Sequence, residues 1–115
     1  MLDFACKRFD INDVIKCSLG LTKADYAVLA YFAKHGEKVL TTEEIALAVG
    51  VDVSTAQRAV KKLTEAGVLE RRQHNLDKGG YTYLYTLADK KQVRKVILDI
   101  VDKWKERVAL ELKSW

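Results

Sequence analysis

Hydrophobic residues recur every three or four positions in several parts of the chain, which is the spacing of one face of an α-helix. This spacing predicts an N-terminal helix over residues 9–19, a helix that begins near 22, two short helices between 41 and 67, and a long helix over 89–114. Before the long helix, residues 68–73 and 81–86 are rich in β-favouring side chains, with a tyrosine at every other position of the second segment. The pattern therefore predicts a mainly α chain with one small β-hairpin (an α+β fold).

Polar residues at the predicted helix ends refine these boundaries. Asp10 can cap the N-terminal helix, and Gly20 can end it. Gly50 can adopt a positive φ in the corner between the two short helices. A hydroxyl residue followed three positions later by a carboxyl or amide residue, the pattern of a capping box, occurs at three further helix starts: Thr22 and Asp25, Thr41 and Glu44, Ser54 and Gln57.

The second short helix is amphipathic, with a polar outer face. At 100° per residue its small and apolar residues fall on one side, while Ser54, Arg58 and Lys61 fall on the other. Thr55, Gln57 and Lys62 flank that outer face. Such side chains can bond base edges or phosphates, but an ordinary solvated helix carries similar residues. The helix alone leaves both interpretations open.

The order of elements and three sequence segments indicate a family. The run GLTKADYAVLAYFAKHG is followed by TTEEIALAVGVDVSTAQRAVKKLTEAGVLERR and then, after a loop that ends in two glycines, by GGYTYLYTL. This stretch, roughly residues 19–88, resembles winged helix-turn-helix transcriptional regulators of the TrmB and MarR type, especially small archaeal ones. The resemblance implies a winged-helix core over 22–87, with one helix in the major groove of DNA and the wing on the backbone or minor groove.

The resemblance also implies a set of residues that contact double-stranded DNA. We expect Arg58 to contact a base, Ser54, Thr55 and Gln57 to contact bases or phosphate, and the two lysines that follow to contact phosphate. The full set is Ser54, Thr55, Gln57, Arg58, Lys61 and Lys62 on the helix, with Arg71, Arg72, His74 and Lys78 on the wing. Charge favours the same region, because residues 52–95 contain ten basic and five acidic residues, a net +5, against −1 for residues 1–51 and zero for 96–115.

The last predicted helix is long for a domain of this size, at roughly 37 Å. An apolar band follows it, and we expect this band, aided by the N-terminal helix, to pair with a second copy of the chain in a homodimer. The alternative is that the helix folds back onto its own domain. The residues assigned to the dimer contact are Val93, Ile97, Ile100, Trp104, Val108 and Leu112.

Composition restricts the remaining possibilities. A length of 115 residues predicts one domain, without the sugar-sensing domain that many TrmB-type regulators carry. No apolar run is long enough to cross a bilayer, so we expect a cytoplasmic protein with no membrane partner. Cys6 and Cys17 lack metal-site spacing, and we expect free thiols, no metal and no cofactor. With only His35 and His74 and no phosphate-binding glycine motif, an enzyme is not expected.

Two other functions remain open at this stage. The winged helix also serves as a protein–protein adaptor in transcription assemblies, and an exposed apolar patch on its outer face would favour that role. RNA binding is a weaker alternative, in which the tyrosines at 81, 83 and 85 would stack on bases. The sequence identifies neither the operator nor an effector.

Overall fold

The computed structural model describes residues 2–115, which form five helices and two separate β-hairpins. A short N-terminal hairpin is followed by four helices, a second hairpin and a long last helix. In chain order the elements are β1 (Leu2–Phe4), β2 (Lys7–Phe9), α1 (Ile11–Leu19), α2 (Lys23–Lys34), α3 (Thr42–Val49), α4 (Val53–Glu65), β3 (Leu69–Asn75), β4 (Tyr81–Leu87) and α5 (Lys90–Lys113). The predicted winged helix-turn-helix fold is confirmed, with α3 and α4 as the helix pair and β3–β4 as the wing.

The residues that cap α1, α2 and α3 are those that the sequence predicted as caps. The Asp10 carboxylate accepts a hydrogen bond from the Asn12 backbone at 3.2 Å and caps α1. Both partners of the capping box at Thr22 are present in α2, and both are present at Thr41 in α3. Gly50 ends α3 with a φ of 73°, a left-handed conformation that glycine adopts without steric cost.

The start of α4 differs from the prediction. Its N-cap is Asp52, whose carboxylate accepts hydrogen bonds from the Thr55 backbone at 2.7 Å and from the Ser54 hydroxyl at 3.2 Å. The predicted capping box between Ser54 and Gln57 is therefore wrong, and Ser54 lies inside the helix. A charged carboxylate at the positive end of the helix dipole explains why Asp52 is the cap.

The N-terminal hairpin was not predicted. Phe9, in strand β2, pairs with Leu2 of strand β1, and α1 therefore begins at Ile11 and not at residue 9. The hairpin is held by an edge-to-face contact between Phe4 and Phe9, with ring centroids 5.5 Å apart. Strands of three residues are too short to produce a visible alternation of apolar and polar residues, and this is why they could not be predicted.

The core lies where α2, α3, α4 and the base of the wing meet. Its largest fully buried side chains come from each of these elements: Val28, Phe32, Ile45, Val60, Leu63 and Val68. The segment before α3 joins the wing through Leu40, whose backbone exchanges two hydrogen bonds with Tyr85, at 3.0 and 2.8 Å. This bridge anchors the base of the wing to the helical part of the domain.

The wing is a longer ladder than the sequence predicted. Strands β3 and β4 pair from Leu69 opposite Leu87 to Asn75 opposite Tyr81, so His74 lies in a strand and not in the predicted loop. Only residues 76–80 form the tip. The tip is closed by a hydrogen bond from the Leu76 amide to the Gly80 carbonyl at 3.1 Å, and the positive φ of Gly79 and Gly80 permits this tight turn.

The last helix leaves the domain. Val93 and Val96, in the first turns of α5, pack against the core, but every residue from 101 onward is exposed. Helix α1 contacts α5 of the same protomer. The molecule is 63 Å long and about 24 Å wide, and the alternative in which α5 folds back onto its own domain is wrong.

Candidate nucleic-acid interface

Helix α4 presents one exposed polar edge because its other side fills the core. Ala56, Ala59, Val60 and Leu63 are buried at spacings of three and four residues. Ser54, Gln57, Arg58 and Lys61 are all exposed, and these four residues are called the reading edge below. Ser54, Arg58 and Lys61 lie in one line along the helix, and Gln57 lies beside it.

Hydrogen bonds at the start of α4 hold part of the reading edge in place. Asp52 bonds Ser54 and Thr55, and the Arg58 guanidinium donates to the Thr55 hydroxyl at 3.4 Å. Hydrogen bonds from the side chain and backbone of Thr55 hold the pKa of Asp52 below its ordinary value. Asp52 is therefore a carboxylate at neutral pH, and it belongs to this network although the sequence had not singled it out. Aspartate is a favoured N-cap residue, so its position two residues before Ser54 was the available signal.

Lys62 does not share the environment of the reading edge. Its ammonium lies 3.2 Å from the carboxylate of Asp25 and donates to the backbone carbonyl of Gly20. Burial raises the pKa of Asp25, but hydrogen bonds from Thr22 and Lys62 and the charge of Lys62 outweigh it, so the pKa lies below its ordinary value. Sequence reasoning missed this ion pair because Asp25 was explained by its capping role.

The predicted wing residues lie on two opposite faces of the hairpin. Arg71 shares a face with Tyr83 and stacks over its ring, 4.2 Å from the centroid. Arg72 and His74 alternate with Arg71 along β3 and so project from the other face. Lys78 is exposed in the tip.

The tyrosines of β4 are not a common stacking surface. Tyr85 is buried against the core, whereas Tyr81 is 56% exposed and meets Tyr83 edge to face at 5.4 Å. Burial thus removes one of the three rings that the RNA alternative requires.

The second half of the apolar band of α5 is exposed, whereas Ile97 and Ile100 in its first half are half-buried. Trp104 is 59% exposed, and Val108 and Leu112 farther along the helix are also exposed. Val93 differs from these residues, because it packs against the core of its own domain. Further exposed apolar side chains, Leu2, Phe4 and Ile11, lie in the N-terminal hairpin and at the start of α1.

Within residues 2–115, no group of three or more histidine, cysteine or acidic side chains is arranged to hold a metal ion. No helix in this described part of the chain is both long and apolar enough to span a membrane.

Comparison with known proteins identifies the family. The profile of the DnaD N-terminal domain matches residues 9–108. The uncharacterized protein MJ1082 of Methanocaldococcus jannaschii is 33% identical over 109 residues, which cover 95% of this chain and 85% of that protein. A solved structure named as a possible transcriptional regulator from Methanosarcina mazei Go1 is 48% identical, with a TM-score of 0.92 over 100% of this chain and 96% of its own.

Regulators of both types named by the sequence resemblance share the fold. TrmBL2, described as an archaeal chromatin protein, superposes with a TM-score of 0.63 at 19% identity, over 90% of this chain and 35% of its own. A MarR protein from Peptoclostridium difficile superposes with a TM-score of 0.54 at 25% identity, over 91% and 65%. These neighbours are named as regulators or as a chromatin protein, which favours a non-enzymatic role. The chain belongs to the DnaD N-terminal domain family and has the winged-helix fold of TrmB-type and MarR-type transcriptional regulators.

Proposed function

We propose that this chain is a sequence-specific double-stranded DNA-binding transcription regulator that acts as a homodimer. The reading edge of α4 enters the major groove, and the wing contacts the backbone or minor groove. The observation that carries the proposal is the reading edge itself. Its hydroxyl, amide and guanidinium groups are exposed on a helix whose opposite side is fixed in the core.

Each side chain of the reading edge has a role that follows from its chemistry. Arg58 can bond the O6 and N7 atoms of guanine, and Gln57 can bond the N6 and N7 atoms of adenine. Ser54 and Lys61 suit phosphate and base edges at the two ends of the line. The N-cap Asp52 orients Thr55 and Ser54 through its hydrogen bonds. Its negative charge also repels a phosphate placed directly at the start of α4.

On the wing, Lys78 and the two arginines supply positive charge on different sides. Because Arg71 and Arg72 face opposite ways, both cannot contact the same phosphate. Arg72, His74 and Lys78 are the wing side chains that can reach the DNA backbone. The guanidinium of Arg71 is instead held beside the aromatic ring of Tyr83, on which it stacks.

A homodimer gives the exposed half of α5 a partner. A row of apolar side chains along a helix that leaves its domain is typical of a coiled-coil contact. A two-fold axis through this contact would place two reading helices in successive major grooves, about one helical turn of DNA apart. The binding site is then an inverted repeat.

Selection of bound sequences from a random duplex pool tests the proposal. We expect an inverted repeat to be enriched, and its affinity to fall with salt by about 0.9 in log K per log salt for each phosphate contacted. Enrichment without symmetry would reject the dimeric mode. Absence of binding to any duplex at low salt would reject DNA as the partner.

If no duplex binds, the adaptor function remains, and two exposed apolar side chains are compatible with it. Leu47 on α3 is 85% exposed, and Val53 at the start of α4 is 39% exposed. Exposed apolar side chains on the helix pair suit a protein surface. They suit thymine methyl groups equally well, so the duplex selection separates the two functions.

A further inference from the structure

Lys61 and Lys62 are neighbours in the sequence, but their side chains leave α4 in different directions and lie in different surroundings. Successive residues of a helix are 100° apart, so Lys61 stays on the reading edge while Lys62 turns toward the start of α2. There its ammonium pairs with Asp25 and donates to the carbonyl of Gly20. The Lys62 side chain is 42% exposed, whereas that of Asp25 is only 8% exposed.

The buried carboxylate of Asp25 requires a positively charged partner. Among residues 2–115 it is the one charged residue that is buried. Its carboxylate also accepts a hydrogen bond from the Thr22 backbone at 3.0 Å, as part of the α2 capping box. A buried carboxylate that lost its cation would carry an uncompensated charge, so this interaction holds the ammonium of Lys62 at the protein surface and away from other ligands.

Three elements therefore meet at one ammonium group. Gly20 is the C-cap of α1, Asp25 lies in the first turn of α2, and Lys62 lies in the reading helix. Helix α1 in turn contacts α5. The Lys62 junction, defined as Gly20, Asp25 and Lys62, is thus a polar link between the reading helix and the pair of helices on which the dimer is built.

We propose that Lys62 is a positioning residue and not a phosphate contact: it fixes the angle of α4 against α1 and α2 and so sets the spacing between half-sites that the dimer accepts. The inference rests on the proposed function, since spacing has meaning only for a dimer on DNA. The preferred spacing depends on where each reading helix points, and a small rotation of α4 in both protomers displaces the two reading edges relative to each other.

The test compares Asp25→Asn with Lys62→Met, because the two possible roles of Lys62 predict different changes in spacing preference and in salt dependence. Asparagine keeps an oxygen for the Thr22 backbone but loses the charge that holds Lys62. If Lys62 positions α4, both variants lower the affinity ratio between the preferred spacing and spacings one base pair longer or shorter, by about tenfold. The salt dependence of binding to random duplex then stays unchanged in Lys62→Met, because no phosphate contact is lost.

If Lys62 contacts phosphate instead, Asp25→Asn leaves the spacing preference unchanged. Lys62→Met would then lower the salt slope by about 0.9 for each lost contact, as the matched control Lys61→Met is expected to do. Either of these results overturns the inference. Lys62→Arg retains a cation for Asp25, and we expect it to restore the spacing preference.

Folding is measured separately from positioning. Circular dichroism and thermal unfolding are recorded for each variant, and DNA binding is measured well below the unfolding temperature. If Lys62→Met does not fold, Asp25→Asn and Lys62→Arg carry the comparison, since neither leaves a buried charge without a partner. Failure of the wild-type protein to bind duplex DNA would reject the proposed function, whereas an unchanged spacing preference in both junction variants would reject only the role of Lys62.

Discussion

Trp104 is the residue whose removal should affect the homodimer most. It lies at the middle of the apolar band of α5, beyond the part of the helix that packs on its own domain, and it is 59% exposed. Because no residue of the protomer covers this side chain fully, Trp104→Ala should leave the monomer fold intact. The substitution should instead reduce the free energy of dimer association.

The exposed fraction gives the size of the effect. A tryptophan buries up to about 250 Å², so a 59% exposed side chain offers about 150 Å² to a partner. At about 25 cal/mol per Å², complete coverage would contribute about 4 kcal/mol per protomer. If a partner covers half of that surface, the dimer loses about 4 kcal/mol over two protomers, and its Kd rises about 1,000-fold.

Sedimentation velocity over a range of protein concentrations measures this shift. Leu110→Ala is the matched control, since Leu110 is 60% exposed on the same helix but lies about 120° from Trp104. We expect Leu110→Ala to dimerise like the wild type. On an inverted repeat, Trp104→Ala should bind with a much weaker affinity, while binding to an isolated half-site is retained.

Two results would refute this reasoning. A wild-type protein that remains a monomer at high micromolar concentration would remove the dimer altogether. An equal loss of association in Leu110→Ala and Trp104→Ala would show that the contact does not follow the apolar band, and the dimer would then need another face of α5.

Four substitutions test other parts of the structure. Arg58→Ala should cost about 1–3 kcal/mol on the selected site and relax preference at one base, whereas Lys61→Ala should weaken selected and random duplexes alike, both by fluorescence anisotropy. Equal losses on both duplexes for Arg58→Ala would contradict base reading. Leu63→Ala, at a fully buried position, should lower the free energy of unfolding in urea by about 2–5 kcal/mol. The pKa of Asp25 is lowered on folding, so its carboxylate stabilises the fold above the ordinary value of 3.8, and this contribution is lost as pH falls below it. Asp25→Asn should therefore make the melting temperature less dependent on pH in that acid range, and an unchanged dependence would contradict the shift.

The sequence predicted those features that depend on neighbouring residues in one element. The capping boxes at Thr22 and Thr41 were predicted because both partners lie three residues apart. The buried side of α4 was predicted because helical periodicity places Ala56 to Leu63 on one face. The paired strands of the wing followed from β-favouring residues on both sides of a glycine-containing loop.

Features that depend on contacts between elements were not predicted. Lys62 was grouped with Lys61 because both are basic and adjacent, and only the packing of α4 on α2 shows that Asp25 holds one of them. The choice of Asp52 over Ser54 as N-cap was ambiguous because both residue types cap helices well, and the hydrogen bonds decide between them. The length of the wing ladder depended on where two glycines place the turn, which composition alone does not fix.

The unbroken helix α5 connects the two parts of the proposed function. Its first turns belong to the domain that carries the reading edge, through Val93 and Val96, and its exposed half carries the apolar residues that we propose form the dimer contact. A single 24-residue helix without an internal glycine or proline has no hinge at which one part could turn relative to the other. Movement of the reading edges relative to α5 then requires a change in the packing of α4 against α2, α3 and β3, and the Lys62 junction lies where α4 meets α2. A regulator built this way would change its DNA spacing through the packing of α4 and not through bending of the dimer helix.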